Sequence, residues 1–331
     1  MNHITSLILA GLLLATAGCG TKTGQATGAN SASDTPTKEL GHFNADSAYN
    51  YVARQVNFGP RVPGTSSHLA CGEFLIDELG KYADTVYVQK ATVEAFNGDK
   101  LPLTNIIGVF NPLQSRRIIL LAHWDTRPWA DMAVEDRDVP IPGANDGASG
   151  VAVLLEIARN LALEAPAVGV DIMFVDGEDY GNSGGFSDNK DTWCLGTQYW
   201  SDNMIPYTAN NRPVYGILLD MVGGRNARFH REYFSENNAP NPTNKIWSEG
   251  RRLGFDDRFI DEIGGSIVDD HIFMAQAGIP TVNIVETMNE VTSNFPPTWH
   301  THEDNMDNID RNSLNAVGKT VLNVVYKEKP Y

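Results

Sequence analysis

The chain has 331 residues, of which 42% are hydrophobic, with 41 acidic and 25 basic side chains and a formal net charge of -16. That length holds one large domain or two small ones and ample buried core. No Lys/Arg-rich run breaks the acidic balance, which argues against a nucleic-acid partner, because phosphate binding needs a basic footprint.

The N-terminal stretch from Ile4 to Gly18 is apolar and uncharged, and too short to span a bilayer comfortably. It ends in "TAGC", which resembles a bacterial lipoprotein signal, with cleavage before Cys19 and lipid on its sulfur. No Lys or Arg precedes the run, so the positive charge of such a leader rests on the amino terminus alone. An ordinary secretory signal with an incidental cysteine is the alternative. Residues 19–39 are small, polar and rich in Gly, Ser and Thr, the composition of a flexible tether. The expected organisation is a signal peptide over 1–18, a tether over 19–39 and one folded domain over 40–331. The expected location is extracytoplasmic, on the periplasmic or outer side of a membrane, as an anchored monomer. Cys71 and Cys194 are the cysteines left in that domain, and free thiols are the favoured reading.

Within the domain, Ser66–Ala83 spaces Leu69, Phe74, Leu75 and Leu79 as a helix does. Thr85–Ala95 alternates like a strand. Short apolar runs follow: "TNIIGVF", "RIILLA", "VDIMFV", "VYGILLD" and "TVNIVE". Runs of this kind suit strands buried on both faces. Helical patterns separate several of them, most clearly Gly150–Ala162 and Asn312–Tyr326. The alternation predicts one three-layer α/β/α domain with a mostly parallel twisted sheet. In such sheets functional groups gather beyond the carboxyl ends of the strands. Ala130–Gly143 and Ser235–Asn244 read as surface loops at the mouth of a pocket, placed to choose which second residue a substrate carries.

The predicted strand ends carry metal-binding side chains. His123 and Asp125 follow "RRIILLA"; Asp146 opens the helix after "VPIPGANDGASG"; Glu178 and Asp179 follow "VDIMFV"; Asp220 ends "YGILLD"; His300 lies in "PPTWHTHEDN". Borderline-soft zinc accepts such a mixture of oxygen and imidazole. Each residue alone has a plainer reading: a hydrogen-bonded core histidine, a helix N-cap at Asp146, a solvated acidic turn at Glu178–Asp179, a strand cap at Asp220, an exposed loop at His300. The neighbouring His302 shows that not every histidine there is a ligand. The joint placement at strand ends favours a site. In the pair Glu178–Asp179, a cation bound by one carboxylate relieves their repulsion and leaves the other to move protons.

The ordered motifs "HWDTR", "PGANDGASGVAVLLEIAR", "DGEDYG", "LLDMVG" and "WHT" resemble the zinc-dependent exopeptidase clan, and within it the animal-type glutaminyl cyclases, of which bacterial members exist. Tryptophan before His300, the "DDH" start at Asp269 and Trp193 after the acidic turn favour that branch. The resemblance implies zinc on Asp146, Asp179 and His300, Glu178 as general base and acid, Asp220 and Asp269 in a hydrogen-bonded network near it, and Trp193 and Trp299 around the substrate. The chain departs from the animal pattern in carrying Asp179 where those enzymes have glutamate, and in lacking the disulfide beside the metal loop.

The implied reaction closes an N-terminal glutamine to pyroglutamate with release of ammonia, on peptides or proteins, with one zinc ion. The alternative is a two-zinc aminopeptidase with a second ion between His123 and Asp220 and Glu178 activating water. A non-catalytic module of the same fold is disfavoured, because all the ligands and the base are kept.

Overall fold

The computed structural model describes residues 41–184, 189–208 and 211–330. The expected signal peptide over 1–18, Cys19 and the tether through 39 lie outside the described residues. Among the described residues no helix is long and apolar enough to cross a membrane.

The chain opens with helix α1 (Ala45–Val56), whose N-cap Asn44 accepts from the amides of Asp46 and Ser47. Helix α2 (Ser66–Gly80) starts at Thr65, which accepts from His68 N. Strands β1 (Thr85–Glu94), β2 (Lys100–Phe110) and β3 (Arg117–His123) follow, then α3 (Ala148–Leu163), β4 (Gly169–Val175), α4 (Leu195–Asp202) and β5 (Gly216–Leu219). The remainder comprises β6 (Phe229–Arg231), α5 (Tyr233–Asn238), α6 (Pro240–Arg252), β7 (Phe259–Ile263), α7 (Asp270–Gln276), β8 (Thr281–Ile284) and α8 (Arg311–Lys327).

Six strands form the central sheet in the order β1-β2-β4-β3-β5-β8. Strands β4, β3, β5 and β8 run parallel, while β2 is antiparallel to both β1 and β4. Every residue of β3, β4, β5 and β8 is buried, which is why these strands read as continuous apolar runs. Alternate side chains point to opposite faces. Ile118, Leu120 and Ala122 join the large core beneath α1, α3 and α8, whereas Ile119 and Leu121 meet Trp200 of α4 and Met274 of α7. The predicted three-layer fold with a mostly parallel sheet is the observed one. Because four strands share one direction, their carboxyl ends come out at a single edge, and the site lies there.

One expectation is corrected. Ser235–Asn244 is not a loop at the pocket mouth: it holds the end of α5 and the start of α6, with Ser235, Ala239 and Thr243 buried. Its Asn/Pro/Ser composition suggested a loop, but Glu232 caps α5 through the amides of Phe234 and Ser235, and Pro240 opens α6. The segment borders Arg116, Val214 and Pro280, which precede β3, β5 and β8, so it sits at the opposite edge of the sheet. Among the described residues, Cys71 and Cys194 are free and buried.

Candidate active site

Strand β3 ends in His123 and feeds Trp124 and Asp125, both fully buried. Asp125 is no ligand. Its two oxygens accept the backbone amides of Glu178 and Asp179 at 3.1 and 3.2 Å. The end of β3 thus holds the acidic turn that follows β4. Gly147, at φ 93°, turns the chain into α3; a Cβ there would lie 2.6 Å from the carbonyl oxygen of Asp125. The N-cap of α3 is Gly147, not Asp146, which frees the Asp146 carboxylate for the site. A second strap comes from the C-terminal loop: Asp304 accepts the amides of Asn145 and Asp146 at 2.7 and 3.0 Å. Burial first, then the charge of Asp146, pushes the Asp304 carboxyl up to about 7.

The fold brings Asp146, Asp179 and His300 together, with one ligand atom of each within 4.8 Å of the others. His300 Nε2 lies 3.2 Å from Asp179 Oδ1 and 3.7 Å from Asp146 Oδ2. Its Nδ1 donates to Asp131 Oδ1 at 2.9 Å. Against its burial, His300 and Arg127 hold the Asp131 carboxyl well below the usual carboxylate range. His300 is 2% exposed and sits at φ 54°. Two other site residues, Cys194 and Met221, share that left-handed backbone, and strain of this kind concentrates where geometry serves a function.

The three-residue group fits a zinc ion. Both oxygens of the Asp179 side chain are buried and accept no hydrogen bond, a costly state for a carboxylate unless a cation completes it. The imidazole is fixed through Nδ1 with Nε2 turned inward, the usual second-sphere arrangement of a metal-binding histidine. His123, Asp146 and Asp220 form a second group, sharing Asp146 with the first. Here His123 Nε2 hydrogen-bonds Asp220 Oδ1 at 3.3 Å and lies 3.0 Å from Asp146 Oδ1, while its Nδ1 is buried without a hydrogen-bond partner.

Glu178 stands beside the ligands. Burial first, then the charges of Asp179, Asp269 and Asp270, raise its carboxyl well above the ordinary glutamate range, with His123 pulling the other way. A cation on Asp179 would draw it back down. Cys194 donates its thiol to Glu178 Oε1 at 3.5 Å. Asp269, Glu178 and Cys194 have ligand atoms within 4.8 Å of one another. The hydrogen bonds of Asp269 run to the Asp270 amide and to Asn283 Nδ2, each at 2.6 Å, and Asp220 bonds His123. Asp269 and Asp220 therefore stand near Glu178 with separate partners.

A cavity of about 180 Å³ opens over these groups. Trp193, Phe295, Trp299, Ile267 and Met132 wall it, and Asp146, Glu178, Asp179, Asp220, Asp269 and His300 line it. The Trp299 ring stacks on His300 at 3.7 Å between centroids and 25°, and Phe295 lies 4.5 Å from Trp299. Trp193 is held from behind by Arg127, whose Cζ lies 4.7 Å from its ring centre. Arg127 is 1% exposed and grips the Asp131 carboxylate at 2.6 and 3.0 Å. It also donates to the backbone oxygens of Asp179 and Gly181 at 2.9 and 3.2 Å. A Cβ on Gly181 would lie 2.0 Å from Trp193, so only glycine lets the indole approach.

All the residues expected from the sequence, Asp146, Glu178, Asp179, Trp193, Asp220, Asp269, Trp299 and His300, border this cavity, and His123 lies beside it. His302 is half-buried, and its side chain meets the Asp136 carbonyl. Sequence reading missed Arg127, Asp131, Asp304 and the apolar wall at Ile267, Val268 and Phe295. Asp125 and Arg127 were visible in "HWDTR", but nothing local marks what they hold.

A family model described as peptidase family M28 matches residues 105–325. Among solved structures, a glutaminyl cyclase from Bacteroides thetaiotaomicron bound to N-acetylhistamine is 48% identical, with a TM-score of 0.84 over 88% of this chain and 100% of that one. A Zn-dependent exopeptidase from Parabacteroides distasonis is also 48% identical, with a TM-score of 0.82 over 86% and 99%. The bovine glutaminyl-peptide cyclotransferase is 24% identical over 290 residues, 78% of this chain and 76% of that protein.

Proposed function

The chain belongs to peptidase family M28, and from that premise we propose that it is a zinc-dependent glutaminyl-peptide cyclotransferase, converting N-terminal glutamine to pyroglutamate and ammonia. The observation that carries the reading is the cavity. At about 180 Å³, walled by Trp193, Phe295 and Trp299 and ending at Glu178, it suits one curled glutaminyl side chain rather than an extended peptide.

Asp146, Asp179 and His300 hold the zinc ion, which when bound polarises the side-chain amide carbonyl and stabilises the charge that develops on its oxygen. The aromatic walls hold the glutamine folded back on itself and exclude water. Glu178 takes a proton from the substrate's α-amine. The amine nitrogen attacks the side-chain carbonyl carbon and closes the five-membered ring. Glu178 then delivers its proton to the amide nitrogen, the carbon–nitrogen bond breaks and ammonia leaves. Well-oriented intramolecular attack of this kind is worth roughly 7–11 kcal/mol. The Cys194 thiol and Asp269 border Glu178 and set its place in the pocket.

One zinc ion serves the reaction, since no water has to be made into hydroxide. The hydrogen bond between His123 and Asp220, set against Asp179 oxygens that accept none, supports one ion over two. The protein works as a monomer, tethered through lipid on Cys19 on the outer side of a bacterial membrane; the leader, cysteine and tether of the sequence support that placement.

Glutaminyl and leucyl chromogenic amides test the reading. Ammonia release from the glutaminyl compound without cleavage of the leucyl one is expected. Leucyl cleavage without ammonia release would establish an aminopeptidase instead.

A further inference from the structure

Beside the cavity lies a second recess of about 300 Å³, bordered by Phe96, Trp129, Arg137, Asp138, Gly181 and Ser183. It adjoins the first: Ser183 lines both, and adjacent residues divide between them, Asp131 bordering the recess and Met132 the cavity. Beneath the divide, the Arg127 guanidinium lies 4.7 Å from the Trp193 ring of the cavity and 5.4 Å from the Trp129 ring of the recess. One buried cation thus backs an aromatic wall in each.

The recess wall is prebuilt. Trp129 meets Phe96 edge-on at 6.0 Å and Tyr180 at 5.1 Å. The Tyr180 hydroxyl donates to Asp99 at 2.7 Å, which ties this ladder to the turn between β1 and β2. Phe96 on that turn keeps 43% of its surface exposed. The rim holds one charge of each sign, Arg137 and Asp138, so it carries no net charge with which to select an ionic group.

We propose that this recess is a binding subsite for an aromatic side chain carried by one of the two residues that follow the N-terminal glutamine. The inference rests on the cyclase reading of the cavity. The Trp193 and Trp129 ring centres lie 4.7 and 5.4 Å from one Arg127 Cζ, a separation that two to three residues of extended chain cover at about 3.3–3.6 Å each, so the second and third residues are the ones that reach the recess. An aromatic ring finds there a rigid edge-and-face partner, which loses little side-chain freedom when it binds.

The test compares kcat/KM for ammonia release from Gln-Phe-Ala-amide, Gln-Ala-Phe-amide and Gln-Ala-Ala-amide, with glutaminamide alongside. Phenylalanine at one of the two positions is expected to raise kcat/KM about three- to tenfold over Gln-Ala-Ala-amide, the scale of one aromatic contact. Phe96→Ala and Phe96→Ser each bring that ratio to about one, and Phe96→Tyr keeps it. A wild-type ratio near one at both positions, or a ratio unmoved by both truncations, overturns the subsite. No ammonia from any of the four compounds, glutaminamide included, overturns the cyclase reading itself.

Discussion

His300 and Asp131 meet at 2.9 Å, Nδ1 to Oδ1, although 169 residues of chain separate them. The carboxylate accepts, so a proton sits on Nδ1, and Nε2 faces Asp146 and Asp179. Arg127 fixes Asp131 in turn, with two hydrogen bonds to its carboxylate. The orientation of the proposed zinc-binding imidazole is thus set two residues deep, by groups that border Asp146 and Asp179 without joining them.

Asp131→Ala is therefore expected to lower zinc affinity by about 10–100-fold, the usual effect of removing such a partner. Competition with a chelator of known affinity reads it. An unchanged affinity would show that His300 keeps its orientation from backbone geometry alone.

Glu178→Gln removes the group proposed to shuttle the proton but keeps the shape of the side chain. Turnover of a glutaminyl peptide should fall by about 10²–10⁴-fold, with bound zinc undiminished by metal analysis. Full activity in this variant would remove Glu178 from the mechanism.

Chelation should abolish ammonia release, and zinc added back should restore it at one equivalent per chain. Asp146→Ala should lose both metal and activity. A titration that turns only at two equivalents would move the assignment toward a two-ion centre at His123 and Asp220.

Glu78 joins the first two helices: it accepts from Tyr51 of α1 at 2.8 Å and from Lys81 at 2.6 Å. Burial alone would raise its carboxyl, but these donors and Arg54 outweigh it and bring it below the ordinary glutamate value. A depressed carboxylate stabilises the fold above its unfolded pKa of about 4.3, and that stabilisation is lost as pH falls through the lower folded value. Glu78→Gln should thus lower Tm at pH 7, and the gap to the parent protein should close below about pH 4. A gap independent of pH would assign the loss to packing.

If Cys19 carries lipid, the full chain expressed in a bacterium should incorporate labelled fatty acid and partition with membranes, and Cys19→Ala should release it to the soluble extracytoplasmic fraction. A Cys19→Ala protein that stays membrane-bound would refute the anchor.

Much of the site was legible because the proposed metal ligands at strand ends leave a local trace. His123, the pair Glu178–Asp179 and Asp220 each follow an apolar run, and a strand buried on both faces produces such a run by necessity. Asp146 and His300 stood out by residue type and neighbours. The short helices α4, α5 and α7 did not, since eight residues or fewer give too little periodicity to read. Helix α6 was hidden by its opening Pro-Asn-Pro.

The sequence by itself determined the layered α/β fold, the edge of the sheet where chemistry collects, and the donor set for a cation with a spare carboxylate beside it. Only the tertiary structure decided that Asp125 and Asp304 strap the loops through backbone amides, that Asp131 orients His300, and that Arg127 braces two aromatic walls. Local patterning reports burial one residue at a time, whereas hydrogen bonds between segments that meet only in the fold depend on where the whole chain has gone.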